Sequence, residues 1–132
     1  MAPQHADTHS PERIAELYPA LFSAREFRRW QALFDRRATL ARIESGVPVE
    51  IQSLADAMPE QVAYAGENHD FVETWHNVRI QRQGQLAVVI ADYSLTVDHE
   101  IRTGTDLLTL ACDGGRWRIL HLAYEQTGRR DR

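Results

Sequence analysis

The chain has 132 residues, with 15 basic and 19 acidic side chains and a formal charge of −4. This length predicts one domain that can bury a core without disulfide bonds. All fifteen basic residues are arginines, so chemistry that needs a lysine amine, such as Schiff-base formation, is excluded. The mild acidity, without a block of like charges, argues against a nucleic acid or an anionic membrane as partner.

Cysteine content and hydropathy indicate a compartment and the domain limits. Cys112 is the only cysteine, which excludes an intrachain disulfide bond and is typical of a reducing compartment. The longest apolar run, residues 86–91, is far shorter than the ~20 residues of a membrane-spanning helix. We therefore expect a soluble cytoplasmic protein with a flexible tail over residues 1–9, one domain over 10–127 and a second flexible tail over 128–132.

The N-terminal part of the domain has a helical pattern. Ser10, Pro11 and Glu12 have the order of an N-cap, a first helical residue and a first-turn acid, so a helix is predicted to begin here. Apolar residues then recur at helical spacing, and Pro19 predicts a kink or a split. A second short amphipathic helix is predicted over residues 27–34.

Short extended segments and a third helix follow. The extended segments are predicted at residues 39–43 and 49–51. Ser53 and Asp56 have capping-box spacing, so a helix is predicted to begin at Ser53 and to end near Gly66.

The remaining chain alternates as β-strands do. Four long strands are predicted, at residues 71–82, 86–97, 101–112 and 116–126, the last of them after an Asp-Gly-Gly turn. Helices followed by an antiparallel meander indicate an α+β fold in which helices cover one face of a curved sheet.

Two segments carry a family resemblance. FRRWQALFDRRATL resembles the second helix and first strand of the nuclear transport factor 2-like superfamily, in its SnoaL-like and ketosteroid isomerase-like branch. The ending TGTDLLTLACDGGRWRILHLAY resembles the last two strands of that branch. The resemblance spans about residues 11–127. It implies a cone-shaped curved antiparallel sheet wrapped around N-terminal helices, with a pocket at the wide end and commonly a homodimer.

The resemblance also limits the chemistry. Ketosteroid isomerases of this superfamily use a catalytic aspartate after the first strand and a neutral aspartic acid on a late strand, and the matching positions here are Arg42 and Leu108. Arginine stays charged and cannot act as a general base, so that isomerase chemistry is not implied. If Arg42 points inward, it favours an anionic or carbonyl-bearing ligand; a surface salt bridge with Glu44 or Glu50 is the alternative.

Strand alternation suggests which polar side chains face the pocket. Trp117, His121 and Glu125 share one face of the last strand, while His76 and Asp106 each share a face with apolar residues of their own strands. If these faces point inward, His76, His121 and Asp106 converge on one cavity.

This convergence supports a catalytic hypothesis, because a carboxylate beside a histidine can hold the tautomer that acts as a base. His76 or His121 would accept a proton, Asp106 would orient it, and Tyr93 or Glu125 would donate. The alternative is a structural histidine hydrogen-bonded to a neighbour. No histidine pair has metal-ligand spacing, so we expect no metal. The predicted ligand contacts are Tyr93, Glu125, Arg42, Trp117 and Leu108.

The opposite sheet face carries apolar residues that need cover. Burying one Leu, Ile or Val side chain is worth ~1.5–3 kcal/mol, so this face predicts a homodimer. Its residues are Leu120, Leu122, Tyr124, Leu86, Val88 and Ile90.

Two functions stay open at this point. The first is binding of a small, largely apolar metabolite in the cone pocket. The second is a lyase, isomerase or cyclase that works without a cofactor and uses the pocket histidines and aspartate for proton transfer.

Overall fold

The computed structural model describes residues 8–132, and it has the α+β architecture that the sequence predicts. The described part contains three helices and six strands. In chain order they are α1 (Pro11–Ser23), α2 (Phe27–Gln31), β1 (Phe34–Glu44), β2 (Val47–Ser53), α3 (Leu54–Gly66), β3 (Phe71–Gln83), β4 (Leu86–Val97), β5 (Glu100–Asp113) and β6 (Arg116–Asp131).

The helix starts follow their capping residues. The Arg13 amide donates to Ser10 Oγ at 3.1 Å, and the Asp56 amide donates to Ser53 Oγ at 3.1 Å. Each bond satisfies one of the free amides of a helix N-terminus. Helix α1 continues through Pro19 to Ser23, so the predicted split is not present.

The six strands form one curved, unclosed sheet in the order β2-β1-β6-β5-β4-β3. Neighbouring strands are antiparallel except β1 and β6, which pair in parallel. Helices α1 and α2 pack on the concave side around an aromatic cluster, in which the Tyr18 ring centroid lies 4.7 Å from that of Trp75 and 5.4 Å from that of Trp30. This core leaves space near α3.

A β-bulge changes the alternation in β3. The pairing of β3 with β4 shifts between His76 and Arg79, and Asn77 has a φ of 54°. Asparagine adopts this left-handed conformation more readily than most residues. Trp75 before the bulge and Ile80 after it therefore both face the core, although one has an odd number and the other an even one.

A second bulge changes the alternation in β6. Ile119 pairs with Leu110 and His121 pairs with Thr109, which leaves Leu120 as an extra residue. One extra residue moves the following side chains to the other face, up to the next shift in register. The inner face of β6 therefore consists of odd-numbered residues before Leu120 and of even-numbered residues from 122 to 126, where the register shifts again.

The ends of the domain differ from the prediction. Strand β6 runs to Asp131, and the Arg132 guanidinium donates to an Asp70 carboxylate oxygen at 2.7 Å, so the sheet extends beyond the predicted domain end at residue 127. The Thr8 carbonyl accepts from the Trp117 amide at 2.8 Å. The rest of the predicted N-terminal tail, residues 1–7, lies outside the described residues. Within residues 8–132, no helix is long and apolar enough to cross a membrane.

Candidate active site

The concave side of the sheet encloses a cavity of about 230 Å³, which we call the inner cavity. This is below the roughly 300–1,000 Å³ typical of pockets for drug-sized ligands, so the cavity suits a smaller molecule. Its lining is richer in polar groups than the expected apolar pocket. All four tyrosines of the chain line it, together with charged and amide side chains.

Two carboxyl groups meet inside the inner cavity. Glu73 on β3 and Asp106 on β5 project from the inner face, on either side of β4. The Trp75 indole Nε1–H donates to Glu73 Oε2 at 3.0 Å and to Asp106 Oδ2 at 2.9 Å. The carboxyl groups also hydrogen-bond to each other. One indole donor therefore holds both acids side by side.

Burial controls the charge of this pair. It raises the pKa of Asp106 to about 7, against the opposing effect of the hydrogen bonds from Trp75 and Glu73. Burial first and the charge of Asp106 second raise the pKa of Glu73 well above its usual range. Two adjacent carboxylates cannot both ionise easily, because like charges repel strongly in a low dielectric. Near neutral pH the pair therefore still holds a proton, and the two carboxyl groups titrate as one unit.

Tyrosine hydroxyls surround the acid pair. Burial, followed by the charges of Asp106 and Glu73, raises the pKa of both Tyr18 and Tyr93, so these phenols stay protonated and can donate hydrogen bonds. Gly104 makes room for Tyr93, because a Cβ there would collide with the Glu125 carbonyl oxygen and lie 2.8 Å from the Tyr93 ring.

Arg42 and Arg102 lie at the mouth of the inner cavity. The Arg42 side chain is 51% exposed, and its only ion pair in residues 8–132 is a 3.4 Å contact with Glu44. Arg102 is held more firmly, by Glu100 at 2.7 Å and by stacking of its guanidinium 5.0 Å from the Tyr64 ring centroid. Arg42 is therefore the more available of the two cations for a ligand.

Two buried polar atoms beside the cavity have no hydrogen-bond partner within residues 8–132. They are Trp30 Nε1 and the Tyr64 hydroxyl, and both residues belong to the cavity lining. Unpartnered buried donors are rare in folded proteins. They are suited to a ligand that brings oxygen acceptors.

No protein-family model and no curated protein matches the chain. Solved structures do match it. A provisionally assigned scytalone dehydratase from Novosphingobium aromaticivorans is 16% identical with a TM-score of 0.75, over 92% of this chain and 84% of that one. The Kfla4162 protein from Kribbella flavida is 12% identical with a TM-score of 0.74, over 90% and 89%. A type 2 hexachlorocyclohexane dehydrochlorinase, LinA, is 8% identical with a TM-score of 0.71, over 90% and 84%.

This chain has the nuclear transport factor 2-like fold. At these identities the likeness establishes the fold alone, as the resemblance of the sequence implies.

The two histidines predicted for the pocket of this nuclear transport factor 2-like domain lie outside it. His76 directly follows the inward Trp75, is exposed, and pairs with Asp92 on the outer face. His121 lies beyond the Leu120 bulge, also on the outer face, with its Nδ1 2.7 Å from Thr39 Oγ1. No histidine of residues 8–132 lines the inner cavity. His76, His121 and Asp106 therefore do not converge.

The other predicted site residues divide into two groups. Tyr93, Asp106 and Arg42 line the inner cavity. Glu125 does not, since the Leu120 bulge turns it to the exposed outer face.

Two predicted contacts belong to the hydrophobic core rather than to the cavity. Leu108 is completely buried, on the same inner face as Asp106 but away from the cavity lining. Trp117 is buried where β6 begins, with the Arg82 guanidinium 4.9 Å from its ring centroid. Neither contacts the space that a ligand would occupy.

The predicted dimer face needs a correction for the same bulge. Leu122 and Tyr124 face inward and line the inner cavity. Leu120 and Leu86 are exposed, whereas Val88 and Ile90 on the outer face are partly exposed.

Sequence reasoning missed Glu73, although a signal was present. Phe71, Glu73 and Trp75 alternate on β3, and two aromatic residues at these positions indicate that their face is buried. Reading this strand from its other end, where Ile80 marks the inner face, places Glu73 outside, because the bulge at Asn77 lies between the two halves.

Proposed function

We propose that this protein is an acid–base catalyst that moves protons on a small, oxygen-bearing molecule in the inner cavity. The observation that carries the proposal is the Glu73–Asp106 pair, held on the single Trp75 N–H at 3.0 and 2.9 Å. An adjacent acid and base with raised pKa values are what proton transfer near neutral pH requires.

The pair suggests an order of events. Ionised Asp106 accepts a proton from a carbon next to a carbonyl group, and the electron pair of that C–H bond forms a new C=C bond. Protonated Glu73 gives its proton to the carbonyl oxygen, which takes the C=O π electrons and forms an enol, or to a hydroxyl group whose C–O bond breaks as it leaves as water. Return of the proton from Asp106 to a different carbon of the enol completes an isomerisation. The Tyr93 hydroxyl would donate a hydrogen bond to the oxygen on which charge develops. The reaction class is thus isomerisation or elimination.

The rest of the cavity suggests the kind of ligand. Arg42 at the mouth suits a carboxylate or a carbonyl group. The unpartnered Trp30 Nε1 and Tyr64 hydroxyl suit further ligand oxygens. Small cyclic or aromatic oxo- and hydroxy-carboxylates combine these features, and tyrosine rings offer them apolar contact.

Binding without turnover is the second candidate. It is favoured because the Asp106 carboxylate already has hydrogen-bond partners within the protein, namely the Trp75 N–H and Glu73. A purely structural pair would need no further partner.

Hydrogen–deuterium exchange separates the two candidates. Oxo-carboxylates would be incubated with the protein in D₂O, and exchange at the carbon next to the carbonyl would be followed by proton NMR. We expect catalysed exchange that falls at least a hundredfold in Asp106→Asn. The matched control is Asp92→Asn, which changes a carboxylate on the outer face. Binding of the compounds without exchange would favour the second candidate, and equal exchange by Asp106→Asn and the unchanged protein would refute the catalytic role.

We also propose that the outer sheet face forms a homodimer. The strand register suggests the residues at the centre of the contact, because five of them are successive neighbours across five strands: Ile51, Ala41, Ala123, Leu107 and Ile90. This row takes the place of Leu122 and Tyr124 in the predicted interface. Light scattering should give the mass of a dimer for the unchanged protein and of a monomer for Leu107→Arg. A monomer in both cases would refute this interface.

A further inference from the structure

A second concave site lies at the other end of β1 and β6. We call it the arginine depression, and its cations are Arg36 and Arg37 from β1 and Arg116 and Arg118 from β6. It has a volume of about 520 Å³. Its lining shares no residue with that of the inner cavity.

A bulge in β1 brings the arginines together. The pairing of β1 with β6 shifts between Phe34 and Thr39, so residues 35–38 include extra residues that the partner strand does not match. The Asp35 carboxylate fixes this bulge by accepting from the Arg37 amide at 2.9 Å and from Arg37 Nε at 3.0 Å. Arg36 and Arg37 are thereby exposed beside the start of β6.

The positive charge of the arginine depression is not fully neutralised. Of its two carboxylates, Asp35 is engaged by Arg37, and Asp113 lies 3.0 Å from Arg118. Arg116 donates only to neutral acceptors, the Thr8 hydroxyl and a backbone carbonyl, both at 3.3 Å. Arg36 has no hydrogen bond or ion pair in residues 8–132.

Four guanidiniums against two carboxylates leave 4 − 2 = +2 in this site, within a chain of net charge −4. Uncompensated like charges in one depression raise the local concentration of anions. The depression has few apolar groups, which makes it a poor site for a neutral apolar ligand.

We propose that the arginine depression binds the phosphoryl group of a small molecule, with Arg36 and Arg116 as its main contacts. A guanidinium can donate two parallel hydrogen bonds to two oxygens of one phosphate group. A phosphate dianion would neutralise both free positive charges, whereas a single carboxylate would neutralise only one of them. Asp35 does not compete for Arg36, because its carboxylate is already hydrogen-bonded to Arg37. Those hydrogen bonds lower the pKa of Asp35 to about 2. This site is independent of the proposed chemistry in the inner cavity.

Calorimetric titration with inorganic phosphate and with phenyl phosphate tests the proposal, at low ionic strength and pH 7.5. We expect saturable binding of one anion per chain, weakened about tenfold or more in Arg36→Gln, as for the loss of a charge-assisted hydrogen bond. Arg36 makes no contact that the fold needs, so this variant should stay folded. The matched control is Arg79→Gln, an exposed arginine on the outer face, which should bind as the unchanged protein does.

Three results would overturn the proposal. The first is the lack of saturable binding by either phosphate. The second is equal weakening in Arg36→Gln and Arg79→Gln, which would show only a general charge effect. The third is tighter, Arg36-dependent binding of a glutamate-rich peptide or a single-stranded oligonucleotide, which would make the partner a macromolecule. Asp106→Asn should leave phosphate affinity unchanged, so failure of the catalytic proposal and failure of this one can be told apart.

Discussion

Two aspartates at opposite ends of the sheet expose little of their own surface, yet their carboxyl groups differ in charge behaviour. Asp35 is 9% exposed and Asp106 is 4% exposed. Hydrogen bonds with Arg37 lower the pKa of Asp35 to about 2, whereas burial raises the pKa of Asp106 to about 7. Asp35 faces a guanidinium, and Asp106 faces a neutral indole and a second acid. Depth of burial and the contacting group together decide the charge, since Asp106 lies deep beside a neutral indole and a second acid, whereas Asp35 lies near the surface beside a guanidinium.

This difference separates a structural role from a chemical one. Asp35 stays ionised over the whole physiological range and fixes the β1 bulge. Asp106 can gain or lose a proton near neutral pH, inside a cavity that admits a ligand. A group of the second kind is a candidate for catalysis, and a group of the first kind is not.

The largest expected effect is on turnover. Asp106→Asn removes the proposed base and should lower kcat/KM for an exchanging substrate by about 10²–10⁴, the usual contribution of general acid–base catalysis. Asp35→Asn changes a carboxylate at the start of β1, outside the inner cavity, and kcat/KM should stay within about twofold. A similar loss of turnover in both variants would show that the effect comes from stability and not from chemistry.

The next effect is the pH dependence of stability, which should have opposite signs at the two aspartates. Asp106 binds its proton more tightly in the folded state, since its pKa rises from an ordinary ~3.9 to about 7. Its contribution to the free energy of unfolding therefore falls as pH increases from about 4 to about 7, by roughly 2–4 kcal/mol at about 1.4 kcal/mol per pKa unit. In Asp106→Asn this decrease should become smaller, because only the part that comes from Glu73 remains. Urea denaturation at several pH values measures it, and identical pH slopes for both proteins would contradict the raised pKa.

A smaller effect should follow from the shared indole donor. Trp75→Phe keeps a ring to stack on Tyr18 but removes the N–H that serves both carboxyl groups. We expect a loss of about 1–3 kcal/mol in the free energy of unfolding. The Trp75 hydrogen bond lowers the pKa of Asp106, so its removal should also shift the pH profile of turnover to higher pH. An unchanged profile would mean that Trp75 only packs.

The comparison also shows what the sequence could predict. The capping residues Ser10 and Ser53 and the long alternating strands were sufficient for the α+β fold, because each is a local signal. Asp106 shares its face with Leu108 and Leu110, as the alternation predicts, because β5 keeps its alternation from Asp106 through Leu110.

The rest of the candidate site depends on strand register at two bulges. Asn77 offers a local signal for the first, since asparagine readily takes a positive φ. Leu120 offers none, because a leucine fits an ordinary strand and its extra position appears only in the pairing with β5. A one-residue error there exchanges His121 and Glu125 for Leu122 and Tyr124, which changes both the predicted site and the predicted dimer face.

The smallest expected effect is the pH-dependent stability that Asp35 contributes, which has the opposite sign to that of Asp106. The folded pKa of Asp35 is below its unfolded value, so its stabilisation is present above about pH 4 and is lost as pH falls toward 2. Because the Arg37 side chain is 82% exposed, solvent screening reduces this contribution to about 1 kcal/mol. Asp35→Asn should lose that amount at pH 7 and nothing at pH 2, measured by urea denaturation.

The same substitution also removes one negative charge from the arginine depression. Phosphate affinity should therefore rise in Asp35→Asn while stability falls, a combination that a merely unfolded variant cannot give. If stability and phosphate affinity fell together, Asp35 would serve to hold the arginines in place rather than to oppose the anion. Arg37→Gln is the control, since it breaks the same ion pair but takes away positive charge, and it should lower both quantities.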